Sequence, residues 1–207
     1  ALSRRERVAL SEAKGRVRGA IALLPGSRRN EIRALLPAML DAIDILKSER
    51  EIDAFVIQAP TISSAELLAI MQDARTFVRI VPHDRGEALS QADVALSSSG
   101  TATLECAIAG VPVVVMYRLS PLTHLVAKRL VKLPNFSLVN IIAGKKIVPE
   151  LLQSDVNGVR IASEVRRLID PAENGRVRRE LAEVTRKLGA PGASRRAAEA
   201  IMSSVTA

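Results

Sequence analysis

Val94-Ala95-Leu96-Ser97-Ser98-Ser99-Gly100-Thr101-Ala102-Thr103-Leu104-Glu105 runs into Ala107-Ile108-Ala109-Gly110 and then Val113-Val114-Val115. An apolar run, a turn of hydroxyl residues and glycine, a short stretch closed by Gly110 and a second apolar run spell strand, turn, helix, strand. The turn offers unpaired backbone N–H groups and hydroxyls to a phosphate. Glu105, one turn into the helix, cannot help hold that phosphate. It can accept hydrogen bonds from a sugar diol beside it, or complete a cap with Thr101 or Thr103.

The same alternation extends in both directions. Upstream, Ala20–Leu24 reads as a buried strand ended by Pro25-Gly26. A helix follows from 29 to 48, with Ile32, Leu35, Leu36, Met39, Leu40, Ile43 and Leu46 on one face and Pro37 as its one bending point. Then come a strand at 54–57, a helix at 63–75, a strand at 77–81 and a short helix at 86–91. Beyond the strand at 113–117, Ser120-Pro121 opens an amphipathic helix to residue 133, with Lys128, Arg129 and Lys132 on its polar side. Past residue 147 the pattern reads as wholly helical, over 147–153, 158–169, 174–188 and 192–204. The fold class is α/β: a parallel sheet with helices on both faces and a helical C-terminal segment. Residues 1–18 form a charged lead-in or linker, 19–156 the sheet domain, and 157–207 helices that pack on it.

Composition fits. Of 207 residues 48% are hydrophobic but only 2% aromatic, so the core is aliphatic, as buried parallel strands require. The apolar runs are too short to cross a membrane, and Ala-Leu-Ser-Arg-Arg-Glu-Arg does not read as a signal peptide. One cysteine, Cys106, fits a reducing cytosol and reads as a small buried hydrophobe. The net charge is +8, and no acid stands between Glu105 and Glu150, where Arg118, Lys128, Arg129, Lys132, Lys145 and Lys146 fall. Such a surface attracts nucleotide phosphates, anionic lipid or nucleic acid, or is a solvated basic face.

Ligands of open parallel sheets bind at the carboxyl ends of the strands, where strand order reverses. Loops of the right kind follow four strands: Pro25-Gly26-Ser27-Arg28, Pro82-His83-Asp84, Ser97–Thr101 and Tyr117-Arg118-Leu119-Ser120. Gly26 permits a tight turn, and Arg28 can make a two-pronged contact with a phosphate. The plainer reading makes Ser27 a helix N-cap and leaves Arg28 in solvent. His83 can act as a base or stack on a ring, or simply lie exposed; His124 is structural. There is no Gly-Lys-Ser/Thr phosphate loop and no Gly-x-Gly-x-x-Gly. No His, Cys and Asp cluster has metal spacing, so no metal is expected.

Four motifs, in order, resemble the C-terminal portion of lipid-A-disaccharide synthase. They are Leu23-Leu24-Pro25-Gly26-Ser27-Arg28 with Glu31-Ile32; Ser98-Ser99-Gly100-Thr101-Ala102-Thr103-Leu104-Glu105; Met116-Tyr117-Arg118-Leu119-Ser120-Pro121 with Ala127-Lys128-Arg129-Leu130-Val131-Lys132; and Ser137-Leu138-Val139-Asn140-Ile141-Ile142-Ala143-Gly144 with Val148-Pro149-Glu150. The resemblance implies a Rossmann-like half of a two-domain glycosyltransferase, the GT-B arrangement. Its reaction would transfer 2,3-diacylglucosamine from its UDP carrier to 2,3-diacylglucosamine 1-phosphate, without cofactor. It implies that Glu105 binds ribose hydroxyls, and that Ser99, Gly100 and Thr101 face the diphosphate. It further implies that Arg28 offsets charge on departing UDP, that Asn140 lines the donor cleft and that the Pro82-His83 loop lies by the uracil. Gly26, Ser27 and Tyr117 join the donor-binding set.

Val139 stands where many members of that family have proline. The larger departure is that the family's N-terminal domain, with its acceptor site and carboxylate base, has no counterpart here. The expectation is donor binding without turnover by this portion alone, at the cytoplasmic face of a Gram-negative inner membrane; the basic helix at 120–133 either meets anionic lipid there or covers the sheet with a solvated basic side. Faces left uncovered by the other domain invite self-association. Two other classes remain: a nucleic-acid- or nucleotide-binding module without chemistry, and another UDP-sugar enzyme of related fold. Scarce aromatics count against single-strand nucleic-acid recognition.

Overall fold

The computed structural model describes residues 19–72, 74–118, 135–189 and 192–205. The expected lead-in at 1–18 and the expected basic helix at 120–133, with His124, lie outside the described residues.

The first strand, β1 (Gly19–Leu24), is buried along its whole length. A short apolar strand can be buried on both faces only in the middle of a sheet covered on both sides. There it stands, parallel to β2 (Ile52–Ile57) on one side and to β4 (Val94–Ser98) on the other, with Ile21 in register with Ala54 and Val94. β3 (Arg79–Val81) pairs outside β2, β5 (Val113–Tyr117) outside β4 and β6 (Glu150–Leu152) outside β5. The order is β3-β2-β1-β4-β5-β6, all parallel. The chain therefore builds outward from β1, returns, and builds the other way, which puts the reversal between β1 and β4.

Helix α1 (Arg29–Glu49) buries Ile32, Leu35, Leu36, Met39, Leu40, Ile43 and Leu46, the face its spacing predicts. Pro37 lies within the helix on its exposed side, so the hydrogen bond it cannot make leaves a carbonyl that water can reach. α2 (Ser64–Met71) is shorter than expected but carries a full capping box between Ser63 and Glu66. α3 (Arg85–Ser90) and α4 (Ala102–Ile108) follow β3 and β4.

The sequence reading fails at 147–153. A helix, α5 (Leu138–Ala143), capped by Ser137 and ended by Gly144, precedes that stretch, and the stretch itself holds β6 and a 3-10 turn, Gln153–Asp155. Ile147, Val148 and Leu151 are buried, and an apolar run so short has no period that separates strand from helix. What decides is the open edge of β5: Val115 N–H donates to Pro149 O at 2.9 Å, and the strand zips on from there.

The remaining helices, α6 (Gly158–Ile169), α7 (Pro171–Lys187) and α8 (Ala193–Val205), complete the chain. Gly158 lets α6 approach α1 so closely that a Cβ there would lie 2.7 Å from Asp41 Cβ. Val165, Leu168, Val177, Leu181 and Val184 join the same apolar core as the sheet. Arg178 and Asn174 tie α7 to the sheet: Arg178 donates to Gly110 O and to Asn174 Oδ1, and Asn174 Nδ2 donates to Asp93 O at 3.0 Å.

Candidate functional site

At the reversal between β1 and β4, the loops beyond the strand ends leave a cleft of about 420 Å³. Gly26, Ser27 and Arg28 come from the loop after β1, Ala59 and Pro60 from beyond β2, and Ser98 to Ala102 from beyond β4. Glu105 lines it from α4 and Arg85 from α3.

The β1 loop is built around a carboxylate. Gly26 has φ +120°, and a Cβ on it would meet Glu31 Oε2 at 2.1 Å. Only glycine satisfies both demands. Glu31 Oε2 accepts from Ser27 N–H at 3.2 Å, and Thr61 Oγ1 donates to Ser27 O at 2.7 Å. The Ser27 amide is thus occupied, and the N-cap residue is Arg28, with no side-chain cap. Among the described residues no carboxylate pairs with the Arg28 guanidinium, which leaves it available to a ligand.

The β4 turn is open. Gly100 has φ +142° with nothing within 4 Å of where a Cβ would stand, so the backbone itself forms the cleft wall. Among the described residues the amides of Gly100, Thr101 and Ala102 meet no acceptor, while Ser99 N–H donates to Met116 O at 2.9 Å and fixes the turn to β5. Thr103 Oγ1 donates to Gly100 O at 2.7 Å. Glu105 caps neither Thr101 nor Thr103: its Oε2 lies 3.5 Å from Arg85 Nη2. The next residue, Cys106, points into the core, where burial, with the Glu105 charge a smaller cause, pushes its thiol above the ordinary value.

Other named residues stand apart. His83 is exposed and does not line the cleft; Arg85, two positions on, does. Tyr117 lines a neighbouring hollow with Arg118, which shares Arg28 and Glu31 with the cleft. Its ring lies 6.3 Å from that of Phe136. Arg118 is engaged as a strut, donating to Ala34 O at 2.7 Å and to Val156 O.

Asn140 does not reach the cleft. It is fully buried, and its amide is saturated. Nδ2 donates to Val148 O at 3.0 Å and Glu150 Oε1 at 2.8 Å, and Oδ1 accepts from the amides of Ile147 at 2.8 Å and Val148 at 3.1 Å. Glu150 also accepts from Ser137 N–H at 2.9 Å. This network holds the chain between α5 and β6, where the amides of the buried Ile147 and Val148 have no water to satisfy them.

Sequence reasoning passed over Arg85. Its signal is slight: a basic residue two positions beyond His83, at the start of the short helix after β3. Nothing local distinguishes it from a solvated arginine. Asp84, immediately before it, has φ +52°, which sets the direction in which α3 leaves β3.

A profile of the family described as lipid-A-disaccharide synthetase matches residues 3–205. Among curated relatives, a lipid-A-disaccharide synthase of Anaeromyxobacter dehalogenans (strain 2CP-C) is 44% identical over 188 residues, 89% of this chain and 49% of its own length. One from Myxococcus xanthus (strain DK1622) is 40% identical over 200 residues, 96% of this chain and 51% of its own. This chain thus spans about half the length of those relatives. Among solved structures, MurG of Acinetobacter baumannii superposes with a TM-score of 0.57 at 19% identity, over 98% of this chain and 53% of its own. That likeness speaks to the fold alone.

Proposed function

The chain belongs to the lipid-A-disaccharide synthetase family, and from that premise we propose that its cleft holds the UDP-sugar donor of a glycosyltransferase. The donor is UDP-2,3-diacylglucosamine and the acceptor 2,3-diacylglucosamine 1-phosphate. One observation carries the reading: the open Gly100 turn, Glu105 and Arg28, unpaired among the described residues, line one cleft where the strand order reverses.

In this reading Glu105 accepts hydrogen bonds from the ribose diol, and Ser99, Thr101 and the amides of Gly100 and Ala102 surround the diphosphate. The acceptor hydroxyl attacks C1 of the donor sugar. The bond from C1 to the phosphate oxygen breaks, and its electron pair leaves on UDP, where Arg28 offsets the growing charge. The hydroxyl proton goes to a positioned base. We assign that base to the part of the relatives that this chain does not span, so this portion binds UDP and does not turn over alone. No metal is needed, because arginine and backbone amides meet the diphosphate. Both substrates carry acyl chains, which favours reaction at a membrane surface, and we assign that surface to the cytoplasmic face of the inner membrane. Among the described residues no helix is long and apolar enough to cross one.

Calorimetric titration with UDP tests the reading. The 207-residue chain is expected to bind it, and Glu105→Ala or Arg28→Ala to weaken binding at least about tenfold, the size of one lost hydrogen bond to a charged group. Binding of RNA without binding of UDP would instead identify a nucleic-acid module. Sugar transfer by the 207 residues alone would refute the assignment of the base.

A further inference from the structure

Arg85 and Glu105 lie on α3 and α4, which follow β3 and β4. Those strands stand three places apart in the sheet, with β2 and β1 between them. At the usual spacing of paired strands that is roughly 14 Å. The Arg85–Glu105 contact therefore spans the ends of β2 and β1 beside the cleft that both residues line.

The pair is looser than the two-pronged ion pairs among the described residues. Arg166 grips Glu49 with two prongs, and Arg176 grips Glu173 with two, at 2.7 and 2.9 Å. Such paired short bonds are what a guanidinium and a carboxylate form when nothing else competes. Arg85 Nη2 approaches Glu105 Oε2 only to 3.5 Å, without hydrogen-bond geometry, and the buried Nε of Arg85 has no acceptor among the described residues. Glu105 thus keeps lone pairs on both oxygens for another donor, while the nearby cation restricts where that carboxylate can point. Among the described arginines, Arg85 is the one at which the fold carries the cost of a buried donor without an acceptor.

We infer that Arg85 is a positioning residue for Glu105, and that through Glu105 it sets the preference for ribose over 2′-deoxyribose in the bound nucleotide. The inference rests on the donor-site reading above. A diol presents two hydroxyl donors at a fixed separation, so it gains both bonds only from a carboxylate held in the matching orientation. A 2′-deoxy sugar offers one hydroxyl and gains little from that orientation. Arg85, not the exposed His83, then decides how much the second hydroxyl contributes.

The test is titration of the 207-residue chain with UDP and with 2′-deoxy-UDP. The wild type is expected to prefer UDP. Arg85→Gln should weaken UDP binding about tenfold, the loss expected when a charge-assisted contact is misaligned. It should weaken 2′-deoxy-UDP binding much less, so the preference shrinks toward unity. Arg85→Lys should retain part of it. In Glu105→Gln, adding Arg85→Gln should cost nothing further, because the two residues act as one unit. Thermal melts of each variant identify any that fail to fold, and Arg85→Lys then carries the comparison. Equal losses for both nucleotides, or an unchanged preference in a folded Arg85 variant, would overturn the inference and leave the donor site standing. A wild type that does not bind UDP would overturn both.

Discussion

Replacing Asn140 by alanine separates two accounts of that residue. The family resemblance implies that it lines the donor cleft; the structure buries it completely and surrounds its amide with four partners. Alanine would strip the acceptor from two buried amides, those of Ile147 and Val148, and the donor from Val148 O. Glu150 loses less, since it still accepts from Ser137 and Phe136. Ile147 and Val148 are 2% and 1% exposed, so water does not readily take the vacated place. Each of the three orphaned buried groups costs about 1–3 kcal/mol; taken near the low end, because the adjoining exposed turn at 144–146 can relax, the loss comes to about 4 kcal/mol. For a chain of this size that lowers Tm by about 8–16 °C. Urea unfolding checks it: the midpoint should fall with the slope unchanged, because the core that unfolds is the same. UDP titration below the new Tm should give wild-type affinity. A variant of wild-type stability that has lost UDP binding would refute the structural account and return Asn140 to the cleft.

Gly158→Ala would press a methyl group to 2.7 Å from Asp41 Cβ and 3.1 Å from its carbonyl carbon, where no flexible side chain can yield. It should destabilise by about 1–3 kcal/mol in denaturant unfolding, and an unchanged midpoint would show that α1 and α6 are free to part. Glu173 is held below the usual carboxylate range, first by its hydrogen bond from Arg176 and then by the charges of Arg176 and Arg167. Its contribution is therefore present above the ordinary glutamate pKa, about 4.3, and is lost as pH falls through the lower folded value. The stability gap between wild type and Glu173→Gln should stay level from pH 7 to about pH 5 and close below that; a gap that widens in acid would contradict the sign. Cys106 is fully buried with its thiol pushed upward, so a disulfide reagent should label it only on unfolding. Labelling of the native protein at the rate of a free thiol would be the contrary result.

The alternation of aliphatic runs with amphipathic stretches was enough to give a parallel sheet with helices. Burial on two faces leaves a mark on each strand's own residues, as in Ala20–Leu24 and Val113–Val115. The loops after β1 and β4 were legible for a similar reason. Positive-φ glycines such as Gly26 and Gly100 and a carboxylate one turn into a helix are local chemistry. The boundaries that slipped, as at α2 and β3, lie where the outermost helix and strand on that side are least buried.

Strand order is not local, and everything that depends on it was decided by the tertiary structure. β6 is a strand because β5 had an open edge to pair, while its three residues carry no period of their own. Asn140 looked like a cleft residue from its motif and became the keystone of the turn leading to that strand, since only the fold shows which polar groups are cut off from water. Arg85 and Glu105 are twenty positions apart with β4 between them, and they meet across the ends of β2 and β1, which stand between β3 and β4 in the sheet. The sequence by itself determined that an open glycine turn and a carboxylate one turn into the next helix follow β4, because backbone freedom and side-chain type are written residue by residue. Which cations share its cleft was settled by topology, because long-range contacts follow from how strands are ordered.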